Sequence, residues 1–144
     1  MSDITTVILA AGNSTRFKAS KSKLVYPLCG LPIVSHIFNI AKKISGKNIL
    51  VVSNEKNKEE LKLILNTSKL VVQKKQKGTA DAIEQVKKYV KSKNILILFG
   101  DTPLVEVKDI RKLVSKFKKS KAKASLIAFN TSEPHGYGLS LIHI

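Results

Sequence analysis

The sequence predicts an α/β protein: a mostly parallel sheet with helices on both faces. Two observations carry that expectation. Short β-branched or apolar runs recur along the chain, and between them apolar residues fall at helical spacing, so the elements alternate as βαβαβαβαβ. Strands in that order are joined by helical crossovers, which make neighbours parallel and cover the sheet on both sides. The expected architecture is Rossmann-like, with ligands gathered at the carboxyl ends of the strands.

Each element has its own warrant. Residues 6–9 (TVIL) run straight into Ala10-Ala11-Gly12, which reads as a buried strand opening into a loop. Val34, Ile37, Phe38, Ala41 and Ile44 follow at helical spacing, and residues 48–52 (NILVV) predict a second strand. Asn57 stands as an N-cap with Glu60 three residues on, ahead of the apolar face Leu61, Ile64 and Leu65. Residues 70–72 (LVV) predict a third strand, after which Thr79 caps a helix that aligns Ala82, Ile83, Val86 and Val90. Residues 94–99 (NILILF) predict the central strand, with five consecutive apolar residues ending at Gly100-Asp101. Val107, Ile110, Leu113, Val114 and Phe117 make a helix with a lysine-rich outer face, and residues 124–129 (ASLIAF) predict a fifth strand.

Composition narrows the class. Apolar residues make up 43% of the 144-residue chain, which suits a globular core and argues against disorder. No apolar run approaches the roughly 20 residues that span a bilayer, so no membrane partner is expected. The segment MSDITT has no basic stretch or signal-type cleavage site, and one cysteine, Cys29, can form neither an internal disulfide nor a thiolate cluster. These features predict a cytoplasmic setting. The 26 basic residues exceed the 10 acidic ones for a net charge of +16, yet only Arg16 and Arg111 are arginines. Lysines scattered between the apolar positions of helices predict a solvated surface, and argue against a nucleic-acid partner, which calls for arginines and interleaved aromatics.

Three features follow directly after strands. In Leu9-Ala10-Ala11-Gly12-Asn13-Ser14-Thr15-Arg16-Phe17 the small residues let backbone N–H groups approach an anion, Gly12 tolerates a positive φ, and Arg16 with Lys23 adds positive charge. That pattern suits a triphosphate, although it is neither a P-loop nor a GxGxxG fingerprint. Gln73, followed by Gln76-Lys77-Gly78-Thr79, offers an amide that both donates and accepts, which matches a pyrimidine edge. Asp101 in Phe99-Gly100-Asp101-Thr102-Pro103-Leu104 ends an apolar strand where it can hold Mg²⁺, an ion that takes few carboxylates and leaves room for phosphate oxygens. Taken singly, each also fits a structural role: a tight turn, an ordinary helix entry, an aspartate capping a turn.

Taken in order, LAAGNSTRF, SKLVYPLCGLPIVSHI, Q-x4-GTADAI, FGDTPL and GYG resemble the sugar-phosphate nucleotidyltransferases. Within that superfamily they are most similar to the uridylyltransferase domain of the bifunctional UDP-N-acetylglucosamine pyrophosphorylase/glucosamine-1-phosphate N-acetyltransferases. The resemblance implies a nucleotide-diphospho-sugar transferase fold, UTP and a sugar 1-phosphate as substrates, and Mg²⁺ as cofactor. It implies that Leu9, Ala10, Ala11 and Gly12 line the nucleotide and that Arg16 and Lys23 bind its phosphates as the catalytic cations. Gln73 falls on the uracil-reading glutamine, Gly78 and Thr79 on a Gly-Thr pair beside base and ribose, and Gly138 on a glycine near the sugar. Phe99, Gly100 and Asp101 fall on a Tyr-Gly-Asp segment whose aspartate ligates magnesium.

The implied reaction joins UTP and N-acetylglucosamine 1-phosphate to give UDP-N-acetylglucosamine, a peptidoglycan and lipopolysaccharide precursor, and pyrophosphate. A sugar phosphate oxygen is already anionic, so positioning, metal and positive charge suffice without a general base. His36 and Cys29 are accordingly expected to be structural, His36 by the packed helix face and Cys29 packed in a loop. Ser14 stands where the family commonly has glycine, Phe99 where it has tyrosine, and Ala80-Asp81 where Gly-His is frequent. These departures keep open a related transferase for another sugar phosphate or a choline-type phosphate. A noncatalytic polyanion- or nucleotide-binding module driven by charge is the reading from another class.

The resemblance runs from about Thr6 to Gly138, so residues 1–138 are expected to be the N-terminal part of a transferase domain. Residues 139–144 (LSLIHI) depart from the family, which continues with an arginine, and are expected to be a truncated or misread end. The family's remaining sugar-binding residues, and an asparagine that is its second magnesium ligand, would come later than residue 144, as would an acetyltransferase domain. On that reading the segment alone is expected to lack turnover, and a trimer is expected only with the acetyltransferase domain.

Overall fold

The computed structural model describes residues 3–14, 17, 21–66, 69–75, 77–133 and 135. The chain divides into two compact units, Met1–Val107 and Lys108–Ile144. In chain order the first holds β1 (Ile4–Leu9), β2 (Pro27–Leu28), β3 (Leu31–Pro32), α1 (Ile33–Ser45), β4 (Ile49–Ser53), α2 (Lys58–Leu65), β5 (Leu70–Val72), α3 (Thr79–Val86) and β6 (Asn94–Phe99). The main sheet has the order β5-β4-β1-β6, and each neighbouring pair is parallel.

Side-chain alternation along β1 explains how helices come to cover both faces. Val7 points to one side, where it packs with Leu50, Val52 and Ala11 against Ala82 and Val86 of α3. Thr6 points to the other, where its Oγ1 accepts a hydrogen bond of 2.8 Å from Ser45 Oγ at the end of α1. The inward stripe of α1, Val34, Ile37, Phe38, Ala41 and Ile44, is buried. Val34 and Ile37 are wholly inaccessible, and burial on this scale contributes about 1.5–3 kcal/mol per large aliphatic side chain.

Several expectations change. Residues 94–99 do form a strand, but β6 lies at the edge of the described sheet and β1 occupies the interior. Its unbroken apolar run does not mark a central position: Leu96 and Leu98 are buried, whereas Ile95 and Phe99 are exposed. Residues 124–129 form no strand; Leu126, Ile127 and Phe129 are exposed, because an apolar run becomes a strand only where a neighbour completes its hydrogen bonds. Asn57 does precede α2, but its side chain makes no cap bond there, being engaged elsewhere as described below. Thr79 is the first residue of α3 rather than its cap; Gly78 takes that place with φ 101, a conformation that disfavours any side chain. Helix α3 is shorter than expected, passing at Lys87–Tyr89 into a 3-10 turn.

The β2–β3 hairpin carries no periodic signal and was not anticipated. Cys29 (φ 48) and Gly30 (φ 80) form its two-residue turn, so Cys29 is exposed rather than packed. His36 on α1 is structural as expected, its Nε2 lying 2.8 Å from the carbonyl oxygen of Leu28.

Helix α4 (Val107–Lys119), all but its first residue in the second unit, buries Ile110 and Val114 and exposes its lysines. Across the described residues every lysine but Lys23 and Lys58 is exposed, as a solvated basic surface requires. No described helix is long and apolar enough to cross a membrane.

Candidate active site

From β1 the chain moves outward to β4 and β5, then returns to lay β6 on the opposite flank of β1. The strand order therefore reverses between β1 and β6, and a crevice at such a reversal, at the carboxyl ends of the strands, is where open α/β sheets bind ligands. Leu9 and Phe99 are in register at that end, and the Gly100 N–H donates to the Leu9 carbonyl at 2.9 Å. An open cavity of about 800 Å³ lies there.

The cavity brings together most of the residues singled out from the sequence. Leu9 lines it from the end of β1 and Ala10, Ala11 and Gly12 from the loop that follows, Lys23 from the 3-10 turn Lys23–Val25, Gln73 from just after β5, Gly78 and Thr79 from the start of α3, Phe99 from the end of β6 and Asp101 from just after it. Gly100 is a correction: it is buried and does not line the cavity. A Cβ there would stand 3.1 Å from the Leu9 carbonyl oxygen, so its smallness serves the close approach of β6 to β1. Arg16 and Gly138 lie outside the described residues, as does Gln76. Asn13, Ser14, Phe17, Leu24 and Ala82 complete the lining.

Gly12 does not use the positive φ that a glycine tolerates, and a Cβ on it would meet nothing within 4 Å. The left-handed turn falls instead on Ser14, at φ 53, the position where the resembled family commonly has glycine. A serine there bears conformational strain, offset in part by its Oγ, which accepts from the Lys23 N–H at 3.2 Å. Phe17 stacks edge-on against Tyr26 with ring centroids 4.9 Å apart.

Two buried asparagines hold the loop after β1, and sequence reasoning missed both. Asn57 Nδ2 donates to the Ala10 carbonyl at 2.8 Å, and Asn54 Nδ2 to the Ala11 carbonyl at 3.0 Å. The two are themselves coupled: Asn54 N–H donates to Asn57 Oδ1 at 3.0 Å, and Asn57 N–H to Asn54 Oδ1 at 2.9 Å. The Ala10 N–H donates to Val52 at 2.8 Å. The backbone at 10–11 is thus fixed from outside the cavity, which aims the loop inward without occupying the site.

The opposite rim is charged. Lys23 Nζ donates to Asp101 Oδ2 at 2.6 Å, with the two side chains 37% and 41% exposed. A pair so hydrated contributes about 0–1 kcal/mol, so it opens easily to other ligands. Gln73 behaves differently: it is buried, its N–H donates to the Ser53 carbonyl at 2.8 Å, and its side chain reaches Asp81 and Gly78. Among the described residues no three His, Cys, Asp or Glu side chains cluster as a metal cage. The donor available in the cavity is the single hard carboxylate of Asp101, which fits a Mg²⁺ that draws its other oxygens from phosphate and water.

Fold and site together define an α/β domain of the Rossmann type with a cavity at its strand-order reversal. The chain belongs to the MobA-like NTP transferase domain family, whose model matches residues 6–142. Over 138 residues it is 41% identical to the bifunctional protein GlmU of Buchnera aphidicola subsp. Schizaphis graminum (strain Sg), a match covering 94% of this chain and 30% of that protein. The chain therefore spans less than a third of that relative's length. Rv0371c from Mycobacterium tuberculosis H37Rv shares the fold with a TM-score of 0.70 at 18% identity, over 83% of this chain and 63% of the other. A CMP:2-keto-3-deoxy-manno-octonic acid synthetase complexed with CTP does so with a TM-score of 0.67 at 19% identity, over 84% and 49%.

Proposed function

We propose that this chain carries the nucleotide site of a cytoplasmic uridylyltransferase, with residues 1–138 part of its transferase domain. Its reaction joins UTP to N-acetylglucosamine 1-phosphate. One observation supports this most: residues separate in sequence, at 9–12, 23, 73, 78–79, 99 and 101, converge on one cavity at the strand-order reversal. The similarity to GlmU supports the particular substrates.

In this reading the backbone of Ala10 to Gly12 faces the phosphates, held in place by Asn54 and Asn57. Lys23 and Arg16 neutralise the phosphate charge, and Gln73, Gly78 and Thr79 meet base and ribose. The sugar phosphate oxygen attacks the α-phosphorus, the bond to the bridging oxygen breaks, and pyrophosphate leaves with its charge intact. Asp101 would hold Mg²⁺, which when bound supplies charge neutralisation at the phosphates.

Incubating the full-length protein that carries this chain with Mg²⁺, UTP and N-acetylglucosamine 1-phosphate, and following pyrophosphate release, tests the proposal. Release with that pair above all other nucleotide and acceptor pairs is expected. Turnover of another sugar phosphate or a choline-type phosphate, without turnover of N-acetylglucosamine 1-phosphate, would transfer the chain to a different branch of the family.

A further inference from the structure

We propose that Asp81 is a positioning residue that fixes which end of the Gln73 amide meets the nucleobase, and so selects a base with a ring N–H donor over cytosine. The inference rests on the nucleotidyltransferase reading and adds a specificity determinant to it.

The Gln73 backbone is pinned to β4 through the Ser53 carbonyl, and the residue is only 5% exposed, which leaves the side-chain amide little freedom. Its Nε2 lies 2.5 Å from Asp81 Oδ2 and 3.3 Å from the Gly78 carbonyl oxygen. Both partners are acceptors. Turning the amide over would set Oε1 against a carboxylate and a carbonyl, three oxygens with no proton among them. Asp81 therefore dictates that nitrogen faces α3, and the two N–H groups of the amide are both engaged.

What remains for a ligand is Oε1, an acceptor, on a residue that lines the cavity. A glutamine free to turn over reads donors and acceptors alike; one held in this way asks for a donor. Uracil and thymine carry a proton on N3, whereas cytosine presents a lone pair at that atom. Setting that lone pair against a buried Oε1 leaves two polar groups desolvated and unpaired, which is how a buried polar site rejects a near-isostere. Asp81 does not line the cavity, so it acts through Gln73. It also sits in the first turn of α3, where a negative charge stabilises the helix, and a test must separate that role from selectivity.

Calorimetric titration of the full chain with UTP, 3-methyl-UTP and CTP makes the separation, applied to the wild type, Asp81→Leu and Asp81→Asn. The wild type is expected to bind UTP about tenfold more tightly than either analogue, the scale of one buried hydrogen bond lost. Asp81→Leu is expected to bring UTP and CTP within about twofold of one another, because a freed amide can turn an N–H toward cytosine N3, while 3-methyl-UTP, with neither donor nor lone pair at N3, stays weak. Asp81→Asn, whose Oδ1 can still accept from Nε2, keeps most of the preference for UTP over CTP. A helix-stabilising role alone would change the affinities together and leave their ratio untouched. Wild-type protein that binds 3-methyl-UTP or CTP as well as UTP overturns the inference, whether or not the leucine variant folds. So does an Asp81→Leu protein with the wild-type ratio. Failure of the underlying reading has a separate signature: no pyrophosphate release by the full-length protein with any nucleotide and acceptor.

Discussion

The two rims of the cavity are built on opposite principles. The β1 rim is overdetermined: Ala10 and Ala11 are buried, their carbonyls are taken by two buried asparagines, and no charged side chain takes part in those bonds. The β6 rim holds its charge in an exposed, singly bonded pair, Lys23–Asp101. The difference teaches a division of labour. On the proposed function, a backbone surface that would fit phosphate oxygens is made rigid from behind, whereas the charges that would exchange partners during a reaction are left where water can reach them.

The substitution with the largest expected effect strikes the charged rim. Asp101→Asn should lower turnover of the full-length protein by about 10²–10³-fold. It should leave the urea midpoint nearly unchanged, since an exposed pair is worth about 0–1 kcal/mol at most. Asn57→Ala should reverse that pattern. It leaves the Ala10 carbonyl and the Asn54 N–H without partners, which is expected to cost about 1–3 kcal/mol in a denaturant melt and to raise the KM for UTP more than it lowers kcat. If Asn57→Ala reduced kcat alone while Asp101→Asn unfolded the chain, the division would be the wrong one.

Gly100→Ala probes the seam between the rims. Its Cβ would force the Leu9 carbonyl, 3.1 Å away, to shift, at a cost of about 1–3 kcal/mol read in the same melt. The smallest effect is expected at Lys58, which does not line the cavity. Its ammonium lies 2.9 Å from Glu55, and the hydrogen bond and charge of that carboxylate raise its pKa above 10.5. A raised folded pKa means a contribution present in full below the ordinary lysine value and lost as pH rises through the folded one. Any difference between wild type and Lys58→Met should thus be constant through neutral pH and fade in strongly alkaline solution, a trend that pH-resolved melts would register.

Much of this was legible in the sequence because it is local. The apolar runs of β1, β4 and β6, and the helical spacing of Val34 to Ile44, each declare an element within a few residues. The cavity was legible because the fold rule places ligands after strands, and Leu9 to Gly12, Gln73 and Asp101 all follow one. What escaped is tertiary. Asn57 looks like an ordinary helix cap, and only the folded chain shows its amide reaching a residue 47 positions earlier. The Asp81–Gln73 bond hides in the same way, since a departure from the family's Gly-His pattern carries no sign of what it touches. Residues 124–129 mark the converse: the apolar pattern is plain, but a strand also depends on a neighbour that no local pattern specifies.

The central claim, that the cavity at the β1–β6 reversal holds the nucleoside triphosphate, is tested most directly by a crystal structure of the full chain with UTP and Mg²⁺. The expected result is phosphate density against Ala10 to Gly12 and Lys23, the metal on Asp101, and the base against Gln73. Triphosphate bound elsewhere on the lysine-rich surface, with this cavity empty, would contradict it.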